Sequence, residues 1–321
     1  MKYPINIHDY MRDSKLGQGT FSEVFLYKKV SGTYSENKNN TKLNELVVKV
    51  INYKYYKYTL KELDFLRKIK DYNNPYIIEY IGDQIIKGNI RLFFFEHLSM
   101  NLYTYYKKRN YGIKDIISIS YQMLKGIEFI HSLNVIHSDL KPENVLIDET
   151  TVKTKIIDFG SIIDKKKLSY KNFYISTRYY RAPEIIYNLM FNEKIDIWSI
   201  GCIIAELVRN KPLLTAKNEE RLFEMINDLL GTPKDILYTC TPNYYKRFVY
   251  EYATNRIPIY KDPFCFKLKF TRYLELYKIN GLQKKMLIDL FKSIFIYDFY
   301  DRVSATECLK SPLFLEFKLN N

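Results

Sequence analysis

The periodicity of this chain changes once, near residues 96 to 101, and that change limits the possible folds more than any other feature. Before it, residues 14 to 51 alternate as half-buried strands do: KLGQGTF, then SEVFLYKKV, then ELVVKVI after the polar stretch SGTYSENKNNTKLN. KYYKYTLKELDFLRKIK (54–70) interrupts the strands with Leu60, Leu63, Leu66 and Ile69 at helical spacing, and YIIEYIGDQ and NIRLFFFEHL then resume them. After Glu96 helical runs dominate, opening with KDIISISYQMLKGIEFIHS (114–132). The pattern predicts an α+β chain in two lobes: a small, mainly β lobe over 1–96 with one helix, and a larger, mainly α lobe over 97–321. A length of 321 residues exceeds what one core usually serves, which fits two. Residues 232 to 280, rich in tyrosine, show no clear period.

Composition removes several classes of function. Cys202, Cys240, Cys265 and Cys308 form no Cys-x-x-Cys pair, which argues against zinc and a disulfide framework and for a reducing compartment. The start, MKYPINIHDYMRDSKL, holds no apolar run like a signal peptide. IDIWSIGCIIAELV (195–208) carries Asp196 and Glu206, is too short to span a bilayer, and reads as a buried helix. A cytoplasmic or nuclear monomer, not a membrane protein, is expected. Fifty basic against 36 acidic residues give +14, but the lysines are dispersed and no nucleic-acid motif occurs. The charge is read as a solvated surface, not a nucleic-acid interface.

Four stretches carry chemistry, and together they supply what phosphoryl transfer from a nucleotide asks for. LGQGTFSEV (Leu16, Gly17, Gln18, Gly19, Thr20, Phe21, Ser22, Glu23, Val24) suits a loop whose backbone approaches phosphate closely, although alone it is equally an ordinary hairpin. Lys49, in VVKV, has apolar flanks on the next strand, and Glu62 lies on the following helix; paired, the glutamate would hold the lysine on phosphate oxygens. IHSDLKPEN (136–144) offers Asp139 to orient an attacking hydroxyl, Lys141 to neutralise the transferring group and Asn144 as a magnesium ligand. IIDFGS supplies Asp158, a second hard oxygen ligand for Mg²⁺. Further on, Asp196 of DIWSIG is expected both to bond the catalytic-loop backbone and to cap its helix, and Arg302 to pair with Glu184 of RAPE.

With these residues assembled, the chain resembles eukaryotic protein kinases over nearly all its length. IDFGS, STRYYRAPEII and the long segment at roughly 210–280 resemble the CMGC group; FFFEHLSMNLYTYYK (93–107) and GCIIAELVRNKPLL (201–214) resemble its DYRK, Yak and homeodomain-interacting branch. The resemblance implies the bilobal protein kinase fold, ATP and Mg²⁺ as cofactors, and protein substrates with Ser or Thr acceptors. It implies Val47 and Leu146 around the adenine, Phe95 as gatekeeper, and Glu96 to Leu98 as the hinge. It implies Thr177 bridging Asp139 and Lys141, proline after the acceptor and an arginine before it.

Ser138 stands where arginine is usual, so a phosphate on the activation segment would have no partner there. By resemblance, Tyr174 is the self-phosphorylated tyrosine, with Arg178 and Arg181 placed to receive it. With the first strand beginning by about residue 10, the extension that assists this step in DYRK kinases is expected to be almost absent. STRYYRAPE fits LAMMER and mitogen-activated kinases about as well, which leaves that branch open. A non-catalytic scaffold would normally lack Lys49, Asp139 or Asp158, and all three are present.

Overall fold

The computed structural model describes residues 5–30, 44–86, 89–108, 111–168, 175–187, 189–230 and 281–319. The chain divides into two units, Met1–Ser99 with Ile156–Gly160, and Met100–Lys155 with Ser161–Asn321. The division falls after Ser99 rather than Glu96, and Ile156–Gly160, which the sequence reading put in the larger lobe, folds with the smaller. Backbone bonds explain that: Ile156 donates to the Tyr76 carbonyl at 2.9 Å and accepts from Ile78 at 3.1 Å.

The first unit is built on an antiparallel sheet of β1 (Tyr10–Gln18), β2 (Ser22–Lys29), β3 (Glu45–Asn52), β4 (Tyr80–Ile86) and β5 (Ile90–Phe95), in the order β1-β2-β3-β5-β4. Side chains alternate across the sheet. Leu46, Val48, Leu92 and Phe94 bury one face with Ile7 and Ile81. Lys49 therefore points to the other face, where α1 (Tyr56–Ile69) presents Glu62. The buried stripe of α1 runs through Thr59, Glu62, Leu63, Phe65, Leu66 and Ile69. Leu60, expected in that stripe, is 37% exposed because it sits one position off the turn-to-turn row that Thr59 and Leu63 occupy.

The second unit opens with β6 (Met100–Asn101), α2 (Leu102–Lys107) and α3 (Ile113–Ser132). Two small sheets follow, β6-β8-β9 with β8 (Val145–Ile147) and β9 (Thr154–Ile156), and β7 (Val135–Ile136) against β10 (Ile163–Asp164). They fix the ends of the catalytic loop. Then come α4 (Pro183–Ile186), α5 (Lys194–Arg209), α6 (Glu219–Leu230), α7 (Gly281–Ile294), α8 (Ala305–Cys308) and α9 (Pro312–Leu319).

Helix α5 is buried from Ile195 to Val208, as its apolar run predicts. A Cβ on Gly201 would lie 2.5 Å from Ile294 Cγ2 and 3.1 Å from the Phe295 ring, so only glycine lets α7 pack this closely. The two acids of that run are both used. Glu206 accepts hydroxyls from Tyr106 and from Tyr180, the latter at 2.7 Å, and burial pushes its carboxyl above the usual range. Asp196 faces the catalytic loop. No helix among the described residues is long and apolar enough to cross a membrane. Tyr174, Cys240, Cys265 and the 232–280 segment lie outside the described residues.

Candidate active site

Each unit holds one half of the predicted chemistry. In the first, Lys49 lies opposite Val24 of β2 and Phe93 of β5, which stiffens its backbone from both sides. Its Nζ meets Glu62 Oε1 at 2.6 Å and Oε2 at 2.8 Å, with Asp158 Oδ1 at 3.8 Å. Lys49 and Glu62 are 16% and 4% exposed, whereas Asp158 is 46% exposed. Burial disfavours both charges of the pair. For Lys49 it is outweighed by the two carboxylates, and the ammonium titrates above its ordinary range. For Glu62 burial prevails over the lysine, and its carboxyl is raised. Asp158 has φ 63, a left-handed conformation rare outside glycine and typical of functional turns.

The phosphate-loop residues form the β1–β2 hairpin. Gly17 opposes Val24, Gln18 opposes Glu23, and Gly19 N–H closes the turn on the Ser22 carbonyl at 2.8 Å. Nothing lies within 4 Å of where a Gly17 Cβ would be, so that backbone faces open space. Thr20 and Phe21 form the tip, and the Phe21 ring stacks on Tyr58 of α1 with centroids 4.9 Å apart. Leu16, Gln18 and Glu23 are exposed; Ser22 and Val24 are half-buried. Val47 and Phe95 are cross-strand partners, and Glu96 and Leu98 follow directly as half-buried irregular backbone.

In the second unit, Asp139 stands at the centre of a bonded set. Its Oδ1 accepts from Thr177 N–H at 2.9 Å and Thr177 Oγ1 at 2.7 Å; its Oδ2 accepts from Lys141 Nζ at 2.7 Å. Lys141 also donates to Thr177 Oγ1 at 3.2 Å, so Thr177 bridges the aspartate and the lysine. Asn144 spends its amide nitrogen on the Asp139 carbonyl at 2.8 Å. Leu146 is half-buried in β8, opposite Asn101. Asp196 holds the loop from beneath, accepting from His137 N–H, Ser138 N–H and His131 Nε2 at 2.8 to 2.9 Å. It does not cap its helix, as was expected of it: α5 starts at Lys194 with Glu193 at the cap, and three donors already claim the Asp196 oxygens. Arg302 grips Glu184 through both nitrogens at 2.7 and 2.8 Å.

A cavity of about 670 Å³ opens beside Asp139, lined also by Ser138, Ser161, Ser176, Thr177 and Arg178. Sequence reasoning missed Ser161 and Ser176 there, and Glu219, which bonds Arg181. Ser161 accepts from Ser138 Oγ through its main chain, which no residue type announces. The two arginines assigned to a Tyr174 phosphate hold other groups. Arg178 Nη1 donates to the Lys217 carbonyl at 2.8 Å, and Arg181 binds Glu219 and the carbonyls of Ile175 and Ser176.

The protein kinase domain family matches residues 10–314. This chain belongs to that family. The kinase domain is 33% identical over 259 residues to the mitogen-activated protein kinase HOG1 of Candida albicans, a match covering 80% of this chain and 63% of that protein. It is 30% identical to the human MAPK/MAK/MRK overlapping kinase over 312 residues, 96% of this chain and 68% of the relative. HOG1 of Saccharomyces cerevisiae is 38% identical over 197 residues, 60% of this chain and 40% of the relative. Against the yeast relatives the kinase domain thus spans under two thirds of the length. These similarities support a CMGC-type kinase and do not single out the DYRK branch.

Proposed function

We propose that this chain transfers the γ-phosphoryl of ATP to serine and threonine side chains of protein substrates. The carrying observation is the Asp139–Thr177–Lys141 set. A hydroxyl entering the adjoining cavity finds a carboxylate held at both oxygens, where it would take the place of the longest bond already made, that from Asn144 Nδ2 at 3.3 Å. Lys141 places a cation beside that hydroxyl's point of attack. In the first unit, the Glu62-held Lys49 ammonium pairs with nucleotide phosphates, and the Gly17–Gly19 backbone covers them.

Each unit offers one oxygen donor of the kind magnesium takes: in the first, Asp158 presents an exposed carboxylate, and in the second Asn144, its nitrogen engaged, presents its amide oxygen. Among the described residues no group of three or more His, Cys, Asp or Glu could hold a metal ion. Bound with the nucleotide, magnesium neutralises phosphate charge.

Within the family, the relatives favour a mitogen-activated-type kinase over the DYRK branch. The Ser176 carbonyl supports proline after the acceptor. With φ 65 at Ser176, that oxygen is turned onto Arg181 Nη2 at 2.9 Å. A substrate N–H reaching for it would go unmet, and proline has none to lose.

The test is phosphate transfer from labelled ATP to a degenerate serine/threonine peptide library. Asp139→Asn is expected to lower kcat/KM by roughly 10²–10⁴-fold, the range of a positioned base. Undiminished transfer by that variant would remove Asp139 from the mechanism. A library preferring Arg/Ser-rich peptides without proline would move the chain to another branch.

A further inference from the structure

The bonds holding segment 175–181 to the catalytic loop form one connected set that closes without any phosphate. Ser138, 2% exposed, donates its Oγ to the Ser161 carbonyl at 2.6 Å and its N–H to Asp196 at 2.9 Å. Its own carbonyl accepts Ser176 Oγ at 2.6 Å. The Ser176 carbonyl goes to Arg181 Nη2, Arg181 Nε donates to the Ile175 carbonyl at 3.0 Å, and Arg181 Nη1 meets Glu219 Oε1 at 2.6 Å. Ser138 and Ser176 have φ of 66 and 65, conformations that non-glycine residues keep only when their surroundings over-determine them.

Charge makes Glu219 the decisive member. The Arg181 side chain is 1% exposed, and a guanidinium so buried needs an anion beside it. In many switched enzymes a phosphate on a mobile segment supplies that anion and orders the segment. Here a carboxylate of α6 supplies it, and each of the three guanidinium nitrogens of Arg181 already has an acceptor. Ser138, neutral and bonded to main chain, offers no cation for a phosphate either.

We propose that Glu219 is a positioning residue that replaces an activation-segment phosphate. Paired with Arg181, it fixes the Ser176 peptide and, through Ser176 and Ser138, the acceptor side of the catalytic loop. This enzyme therefore works unphosphorylated. The inference rests on the phosphotransfer reading above and can fail separately from it.

The experiment uses the full chain in two forms, one made phosphate-free with a co-expressed phosphatase and checked by intact mass, the other isolated with its phosphates. Both are assayed on two peptides that differ only in proline or alanine after the acceptor serine. Phosphate-free wild type is expected to reach the phosphorylated form's kcat/KM within about twofold. Glu219→Gln is expected to lose about tenfold on the proline peptide, equivalent to about 1.4 kcal/mol, with a smaller proline-to-alanine ratio. Glu219→Asp should recover most of both. The ratio separates positioning from partial unfolding, because lost folded protein lowers both peptides equally. A gain of about tenfold or more on phosphorylation overturns the proposal, as does a Glu219→Gln ratio equal to wild type. Wild type inactive in both forms overturns the phosphotransfer reading and the proposal together.

Discussion

Two ion pairs in this kinase domain use the same chemistry to opposite ends. Arg302 and Glu184 meet through two bonds, at 0% and 1% exposure, with the guanidinium also bonded to the carbonyls of Ile296 and Lys194 and lying 5.2 Å from the Trp198 ring. Lys49 and Glu62 also meet through two bonds, yet the lysine has Asp158 as a second, more distant carboxylate that faces solvent. The first pair is closed on every side and can only hold elements together. The second is unfinished, with an ammonium that has further anions to meet. An ion pair is available to a ligand only when its geometry leaves one partner open to a third group, and burial alone does not say which kind it is.

The sharpest way to break the comparison is to remove one cation from each pair. Arg302→Met leaves Glu184 buried without a countercharge and is expected to cost about 3–5 kcal/mol of stability, read from urea unfolding midpoints. Lys49→Met is expected to do the reverse. Phosphotransfer kcat/KM should fall about 10²–10³-fold, as when one preorganised donor is lost, while the unfolding midpoint moves much less than in Arg302→Met. The reason lies in Glu62, whose raised carboxyl can take a proton once the ammonium is gone. Equal destabilisation by the two substitutions would erase the distinction between a sealed pair and an unfinished one.

The same contrast shows what the sequence discloses. Lys49 and Glu62 were legible because a strand lysine with apolar neighbours and a glutamate on the next helix are side-chain signals, and β3 alternation puts the lysine on the helix side. Asp139, Lys141, Asn144 and Asp158 were legible because short loops between short strands leave few places for them to go. Glu219 was not. It meets Arg181 only because α6 returns to the same place from 38 residues away, and two of the three bonds there run to main-chain oxygens. Leu60 was misplaced because the α1 stripe includes a polar member, Glu62, that hydrophobic periodicity does not count. The branch was not legible for a related reason: the stretches compared are hinge and buried-helix residues, whose packing demands are shared across the group.

The smallest expected effect concerns pH, and it sets activity against stability within the Lys49–Glu62 pair. Burial raises the Glu62 carboxyl above its ordinary value of 4.5 in the folded protein. A raised folded value means the protonated form is favoured by folding, so this group's contribution to stability is full below the unfolded value and is lost as pH climbs through the folded one. Activity has the opposite slope, because only ionised Glu62 can hold Lys49 in place, while Lys49, itself raised, stays charged throughout that window. The acid limb of kcat/KM should therefore lie above the ordinary glutamate range. Over the same interval, unfolding midpoints should show a small decline with rising pH that is absent from Glu62→Gln. An acid limb at the ordinary glutamate position in wild type would show that Glu62 is not the group that titrates.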